Sequence, residues 1–155
     1  MKINYSSPVG CLTITIENNA VCGLTLDEGL CSSEKNENIS DPLAKKVFQQ
    51  LNEYFGGKRK DFDLPLNLEG TDFQKNVWNE LLKIPYGATI SYKTLSERVK
   101  GNPNASRAVG NANGKNPVAI IVPCHRVVAH DGSLGGYSLG LEMKKKLLEL
   151  ERTSI

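Results

Sequence analysis

Apolar and polar residues alternate strictly in the stretch CLTITIE: Leu12, Ile14 and Ile16 fall on one face, Thr13, Thr15 and Glu17 on the other. A period of two predicts a half-buried strand. The NNA that follows reads as a turn and VCGLTL as the returning strand, so a hairpin is expected, with KINYSS ahead of it as a third strand. DEGLCSSEKNENIS reads as a polar loop. The period then lengthens. In DPLAKKVFQQLNEYFGG, Leu43, Val47, Leu51 and Phe55 recur every fourth residue, with Phe48 and Tyr54 flanking that face. Asp41 suits an N-cap, Pro42 the first helical position and Gly56–Gly57 the stop. KRKDFDLPLNLEG reads as a linker or extended segment.

The second half is dominated by helical periods. TDFQKNVWNELLKIPYG predicts a helix starting at Thr71 or Asp72 and ending before Pro85 and Gly87, with Phe73, Val77, Leu81 and Ile84 as its buried stripe and Trp78 beside it. SYKTLSERVKG predicts a shorter helix capped by Ser91 and stopped by Gly101. NASRAVGNANG predicts another, capped by Asn104 and stopped by Gly114. NPVAIIVPCHRVV is extended or irregular, AHDGSLGGYSLG a glycine-rich loop and LEMKKKLLELE a closing amphipathic helix. The expected class is α+β: a small N-terminal α/β domain over residues 1–65, then a mostly helical domain over 66–155.

Composition narrows the function. The 155 residues are 39% hydrophobic, and no apolar run approaches the ~18 residues needed to cross a bilayer. The opening MKINYSSPVG is polar, which predicts no secretory signal and a cytoplasmic protein. The four cysteines form no CxxC pair, and His125 and His130 are the only histidines, which argues against a zinc ribbon or finger and leaves open a site assembled from distant ligands. Cys11, Cys22 and Cys31 read as small hydrophobes, without a disulfide framework. The net charge of +2 is unevenly spread. Residues 1–70 carry seven basic against ten acidic side chains, residues 71–155 twelve against seven. From Ile90 to Arg126 there are six basic residues and one acid, Glu97, a bias that suits a polyanion.

The two short helices joined by KGNPN have helix-turn-helix spacing. The second is unusually slim: Ala105, Ala108, Val109, Gly110 and Ala112 are small or short, and Arg107 is its only charge before Lys115. Two readings stand: tight packing on its own domain, or insertion into a nucleic-acid groove with Arg107 projecting.

Chemistry is concentrated in IIVPCHRVV. A thiol becomes nucleophilic when its thiolate is stabilised, and a neighbouring base does this best. On a regular strand Cys124 and His125 would face opposite ways, so they cooperate only if the chain turns there or a water bridges them. Pro123 favours such a departure. A histidine base also needs an acceptor on its other nitrogen, and Asp131, Glu149 and Glu151 are downstream.

PCHRVV, preceded by NPVAIIV, followed by GSLGGYSLGLEMKKKLLELE and led into by FQKNVWNELLKIPYGATISYKTLSERVKGNPNASRAVGNANGKNP, resembles the active-site region of the O6-alkylguanine-DNA alkyltransferases over about residues 72 to 151. The N-terminal layout is similar to that family's ribonuclease-H-like domain, and the helix pair to its winged-helix-like DNA-binding motif. The resemblance implies direct reversal of damage in double-stranded DNA: after base flipping, the alkyl group of O6-alkylguanine, and of O4-alkylthymine in some cases, passes irreversibly to Cys124. His125 would activate the thiol through a bridging water and Glu151 would orient His125. Asn116 would brace the active-site turn. Arg107 would fill the gap left by the extruded base, and Tyr92 would press on the 3′ phosphate and donate to the base. Backbone groups of Val127 and Cys124, with Ser138, would contact the guanine edge, and Lys144 would close the pocket loop. No cofactor, no metal and a monomer are implied.

Two positions depart from the human relative: Ala119 stands in place of a proline and Leu139 in place of a glycine, both bordering the alkyl pocket, so Leu139 is expected to narrow its entrance. Two other readings are compatible with the sequence. One is a lesion-binding protein of the alkyltransferase-like kind, against which Cys124 argues. The other is a thiol hydrolase built on Cys-His-Glu, which would turn over repeatedly and need no groove-binding helix.

Overall fold

The chain is α+β. The computed structural model describes residues 1–27, 40–129, 131, 135 and 140–154. Three antiparallel strands, β1 (Lys2–Ser7), β2 (Gly10–Glu17) and β3 (Ala20–Asp27), form a sheet in that order. The alternating face behaves as expected: Leu12 and Ile14 are fully buried and Ile16 nearly so. Each such side chain stabilises the fold by about 1.5–3 kcal/mol relative to exposure. Asn18 and Asn19, both at positive φ, make the hairpin turn, a backbone setting that asparagine tolerates.

Helix α1 (Pro42–Phe55) covers the sheet. Asp41 caps it, its carboxylate accepting from the Ala44 amide at 2.9 Å. Leu43, Val47 and Leu51 are buried as the period predicts, but the fourth turn departs from it: Tyr54 is wholly buried and Phe55 only partly. The expected linker is tied down. Gln50 donates to the Asp63 carbonyl and accepts from its amide, and Val21 forms a parallel bridge with Leu66. The disulfide state differs in one respect from the sequence reading, because Cys11 is disulfide-bonded.

In the second half, α2 (Asp72–Leu81) starts at a capping box between Thr71 and Gln74. Its buried Trp78 donates to the Ala112 carbonyl at 2.8 Å, fixing α2 against the later helix α4 (Ser106–Gly114). After the two-residue strand β4 (Ile90–Ser91) comes α3 (Tyr92–Lys100), capped by Ser91 and ended by Gly101 at φ +79, where a left-handed residue is needed. The start of α4 departs from expectation. Pro103–Ala105 form a 3₁₀ turn capped by Asn102, and α4 begins at Ser106 without a side-chain cap, so Asn104 is not the capping residue. Ser96 replaces that cap: its buried hydroxyl donates to the Asn102 carbonyl at 2.7 Å and accepts from the Ala105 amide at 3.0 Å. One buried hydroxyl thus ties α3 to the turn that opens α4. The chain ends in α5 (Leu141–Thr153), whose buried face carries Met143, Lys144, Leu147 and Glu151.

Ser96→Ala removes two hydrogen bonds at a partly exposed turn whose Ala105 amide and Asn102 carbonyl can turn to water, so it should destabilise the protein by about 0.5–1.5 kcal/mol. Urea denaturation of the variant beside the parent measures this, and an unchanged midpoint would show that the turn holds itself.

Candidate active site

The path from α4 to the cysteine is sharply bent. Asn116 closes it on itself, donating to the Val122 carbonyl at 2.7 Å and accepting from the Val118 amide at 3.0 Å. Within that clasp the Ile121 amide donates to the Ala119 carbonyl at 2.8 Å across Ile120, which lies at φ +73. A two-residue bond around a positive φ is a γ-turn, strained for a β-branched residue. The surroundings hold it: Leu24 and Val118 form a parallel bridge, the Ala119 amide donates to the Leu24 carbonyl, and Ile120 is buried. A second bond of the same span, from the Cys124 amide to the Val122 carbonyl at 2.8 Å, turns the chain at Pro123 (φ −81, ψ 64), the inverse form that proline's fixed φ favours.

Cys124, His125 and Arg126 then form a 3₁₀ turn, and Val127–Val128 (β5) pair in parallel with β4. The turn answers the question of direction. Side chains one residue apart no longer alternate across a sheet. All three are buried, Cys124 and His125 completely. Cys124 is outside any disulfide. Asn113, on α4, donates to the Cys124 carbonyl at 3.3 Å, linking the second helix of the helix-turn-helix to the cysteine.

Glu151, reaching in from α5, is the hub. Its Oε2 lies 2.6 Å from Nε2 of His125 and accepts from the Tyr54 hydroxyl at 2.6 Å and Nη2 of Arg126 at 3.0 Å. Its Oε1 accepts from Nε of Arg126 at 2.8 Å and from the Gly87 amide at 3.3 Å. Burial pushes the Glu151 carboxyl up, but hydrogen bonds and charge from His125 and Arg126 outweigh it and hold the group well below the carboxylate range. An ionised carboxylate only accepts, so Nε2 of His125 carries the proton and Nδ1 presents a lone pair. Burial lowers the His125 pKa, more than the hydrogen bond and charge of Glu151 raise it, and keeps the ring neutral. Nδ1 is buried with no protein partner. A neutral imidazole with this tautomer can take a proton at Nδ1.

The other expected residues fall as follows. Tyr92 opens α3, half-buried, with Lys144 Nζ 5.9 Å from its ring centroid. Lys144 is fully buried and donates to the Val127 carbonyl at 2.6 Å; burial lowers its pKa to about 8, against the pull of Cys124. Arg107 stands exposed near the start of α4. Ala119 is buried beneath the γ-turn. Ser138, Leu139 and His130 lie outside the described residues. Among the described residues no cluster of three His, Cys, Asp or Glu could hold a metal ion, and no helix is long and apolar enough to cross a membrane.

Three residues escaped the sequence reading. Tyr54 was placed on the flank of α1, although a tyrosine three positions after a buried Leu51 shares its face and, once buried, needs a partner for its hydroxyl. Arg126 stood in the quoted motif without a role; its Nη1 donates to the Ile84 carbonyl at 2.7 Å, and its guanidinium stacks 5.7 Å from the Tyr86 ring centroid. Gly135, at φ +68, lies so close to Tyr92 that a Cβ there would come within 2.8 Å of the hydroxyl.

Comparison with known proteins agrees with this architecture along the chain. The sequence model described as 6-O-methylguanine DNA methyltransferase, ribonuclease-like domain matches residues 2–68, and that described as the DNA binding domain of the same family matches residues 72–153. The methylated-DNA–protein-cysteine methyltransferase of Mycobacterium tuberculosis strain H37Rv is 46% identical over 148 residues, covering 95% of this chain and 89% of its own. That of Methanosarcina acetivorans is 42% identical over 149 residues, covering 95% of each. The crystal structure of M. tuberculosis OGT in complex with DNA superposes with a TM-score of 0.86 at 44% identity, covering 99% of this chain and 93% of that one. The chain belongs to the 6-O-methylguanine DNA methyltransferase family.

The Glu151 cluster should dominate acid stability. The unfolded carboxyl titrates near 4.3, far above its folded value, so the ionised form stabilises the fold fully above about pH 4.3 and less as pH falls below it. His125 acts in the same direction below about pH 6.5, because its folded pKa is also lowered. Glu151→Gln leaves the Arg126 charge buried without its counter-ion, which should cost about 3–5 kcal/mol at pH 7.5. Urea midpoints between pH 7.5 and 3.5 should fall for the parent, with a shallower slope for the variant below pH 5.

Proposed function

We propose that the protein repairs DNA by direct reversal, transferring the alkyl group of O6-alkylguanine, methyl above all, to Cys124, irreversibly and once per molecule. The observation that carries this reading is a buried thiol followed by a neutral histidine whose tautomer is fixed by Glu151, on a turn tied to the second helix of a helix-turn-helix.

The lesion's alkyl group is hidden in the duplex, so the nucleotide is rotated out. The small residues of α4 let it approach the minor groove, Arg107 takes the place of the extruded base, and Tyr92 presses on the 3′ phosphate. Such contacts carry no sequence preference, which suits a lesion found anywhere. Backbone groups of Val127 and Cys124, with Ser138, meet the guanine edge. Lys144 closes the pocket loop, Ala119 and Leu139 shape its wall, and Asn116 holds the turn. The thiol proton passes through a water to Nδ1 of His125, whose Nε2–H stays on Glu151. The thiolate attacks the alkyl carbon opposite O6; the S–C bond forms as the C–O6 bond breaks, and the electron pair leaves with guanine. The Tyr92 hydroxyl meets that charge by donating a hydrogen bond or its proton. The thioether carries no leaving group, so the thiol is not regenerated. No oxidant, metal or cofactor enters this balance. We place the division between the two domains near residue 65, and take the protein to act as a cytoplasmic monomer on DNA.

A duplex with radiolabelled O6-methylguanine tests this. One label per protein molecule should appear, and none on Cys124→Ser. Repeated turnover would indicate a hydrolase, and binding without transfer a lesion-recognition protein. Leu139→Gly should react faster with O6-benzylguanine than the parent; equal inactivation rates would remove Leu139 from the pocket wall.

A further inference from the structure

Oε2 of Glu151 serves two elements. It holds the ring of His125, and it accepts the Tyr54 hydroxyl from α1, 97 residues away in sequence. Tyr54 is fully buried, so this bond is shielded from solvent. Its ring is fixed on several sides: edge-on against Phe55 and Tyr86 and tilted against Phe62, with centroids 5.2, 6.0 and 5.3 Å away. Burial, then the charge and hydrogen bond of Glu151, raise its pKa well above the phenol range, so the hydroxyl stays a donor. The oxygen that sets the histidine tautomer is thus anchored from the N-terminal part of the chain.

We propose that Tyr54 is a positioning residue of alkyl transfer: its hydroxyl fixes Oε2 of Glu151 and tempers that oxygen's pull on the His125 ring. The proposal rests on the alkyl-transfer reading above. Tyr54 touches neither thiol nor base and acts through Glu151. The groups meeting Glu151 are Tyr54 on α1, the Gly87 amide in the segment after α2, and His125 and Arg126 on the 3₁₀ turn; the Tyr86 ring packs against Tyr54 and Arg126, and Lys144 adds its charge toward His125 from α5. Removing the hydroxyl returns electron density to Oε2 and makes the imidazole more basic. His125 then protonates at a higher pH and loses its Nδ1 lone pair sooner.

Transfer from labelled O6-methylguanine duplex is measured for the full chain from pH 5.5 to 9, together with affinity for undamaged duplex and the thermal midpoint. Tyr54→Phe should slow transfer about three- to tenfold at pH 7. It should raise the acidic limb of the profile by roughly half a unit to one unit, with duplex affinity unchanged. Replacing Tyr54 by 3-fluorotyrosine keeps the shape and strengthens the donor, so the limb should move the other way; this arm stands even where Tyr54→Phe fails to fold. Nitrogen NMR of the His125 ring follows the same titration directly. A Tyr54→Phe protein with the parent's rate and profile, or a fluorotyrosine protein whose limb does not move, overturns the proposal. No transfer by the parent itself would instead overturn the reading on which it rests.

Discussion

A single buried carboxylate joins the elements that meet around the cysteine turn. Glu151 sits in the interior and receives five donors from α1, the segment after α2 and the cysteine turn, while belonging itself to α5. A carboxylate out of water is tolerated only where its oxygens are fully met. Each donor is therefore also a constraint. Arg126 supplies the counter-charge, and its Nη1 fixes the end of the α2 region through Ile84. His125 is one ligand of a structural hub, so the geometry we propose for transfer is tied to the stability of the fold.

The second constraint is the path of the backbone. Two tight turns in succession, at Ile120 and Pro123, bring the chain from the clasp of Asn116 to a buried 3₁₀ turn. The strain at Ile120 persists because the parallel bridge to Leu24 over-determines it from the N-terminal sheet. The N-terminal half thus reaches the site twice, from the sheet through this backbone bridge and from α1 through Tyr54.

Much of this was legible in the sequence wherever one local rule decides. The period of two gave β2, and Asp41, Thr71, Ser91 and Gly101 marked helix ends, because capping is a local matter of donors and acceptors. The residues alone leave Asp131, Glu149 and Glu151 open as the acceptor for His125; the resemblance points to Glu151, and the structure brings it to 2.6 Å. The start of α4 was misread because the Ser96 hydroxyl, from another helix, does the capping. The positive φ of Ile120 was invisible, since a β-branched residue predicts the opposite. Tyr54 and Arg126 were unassigned because their partner lies in a distant helix, and periodicity reports a face without saying what it meets.

On the role proposed for Cys124, a sulfur that reacts once, its complete burial has a further meaning. For such a protein, an encounter with a dissolved electrophile or oxidant would remove the whole molecule from service. Withholding the sulfur from solvent restricts it to carbon delivered by a partner large enough to be held while one base is inserted. Selectivity then begins with access, before any feature of the base is read, and the same burial preserves the thiol during the wait for a rare lesion.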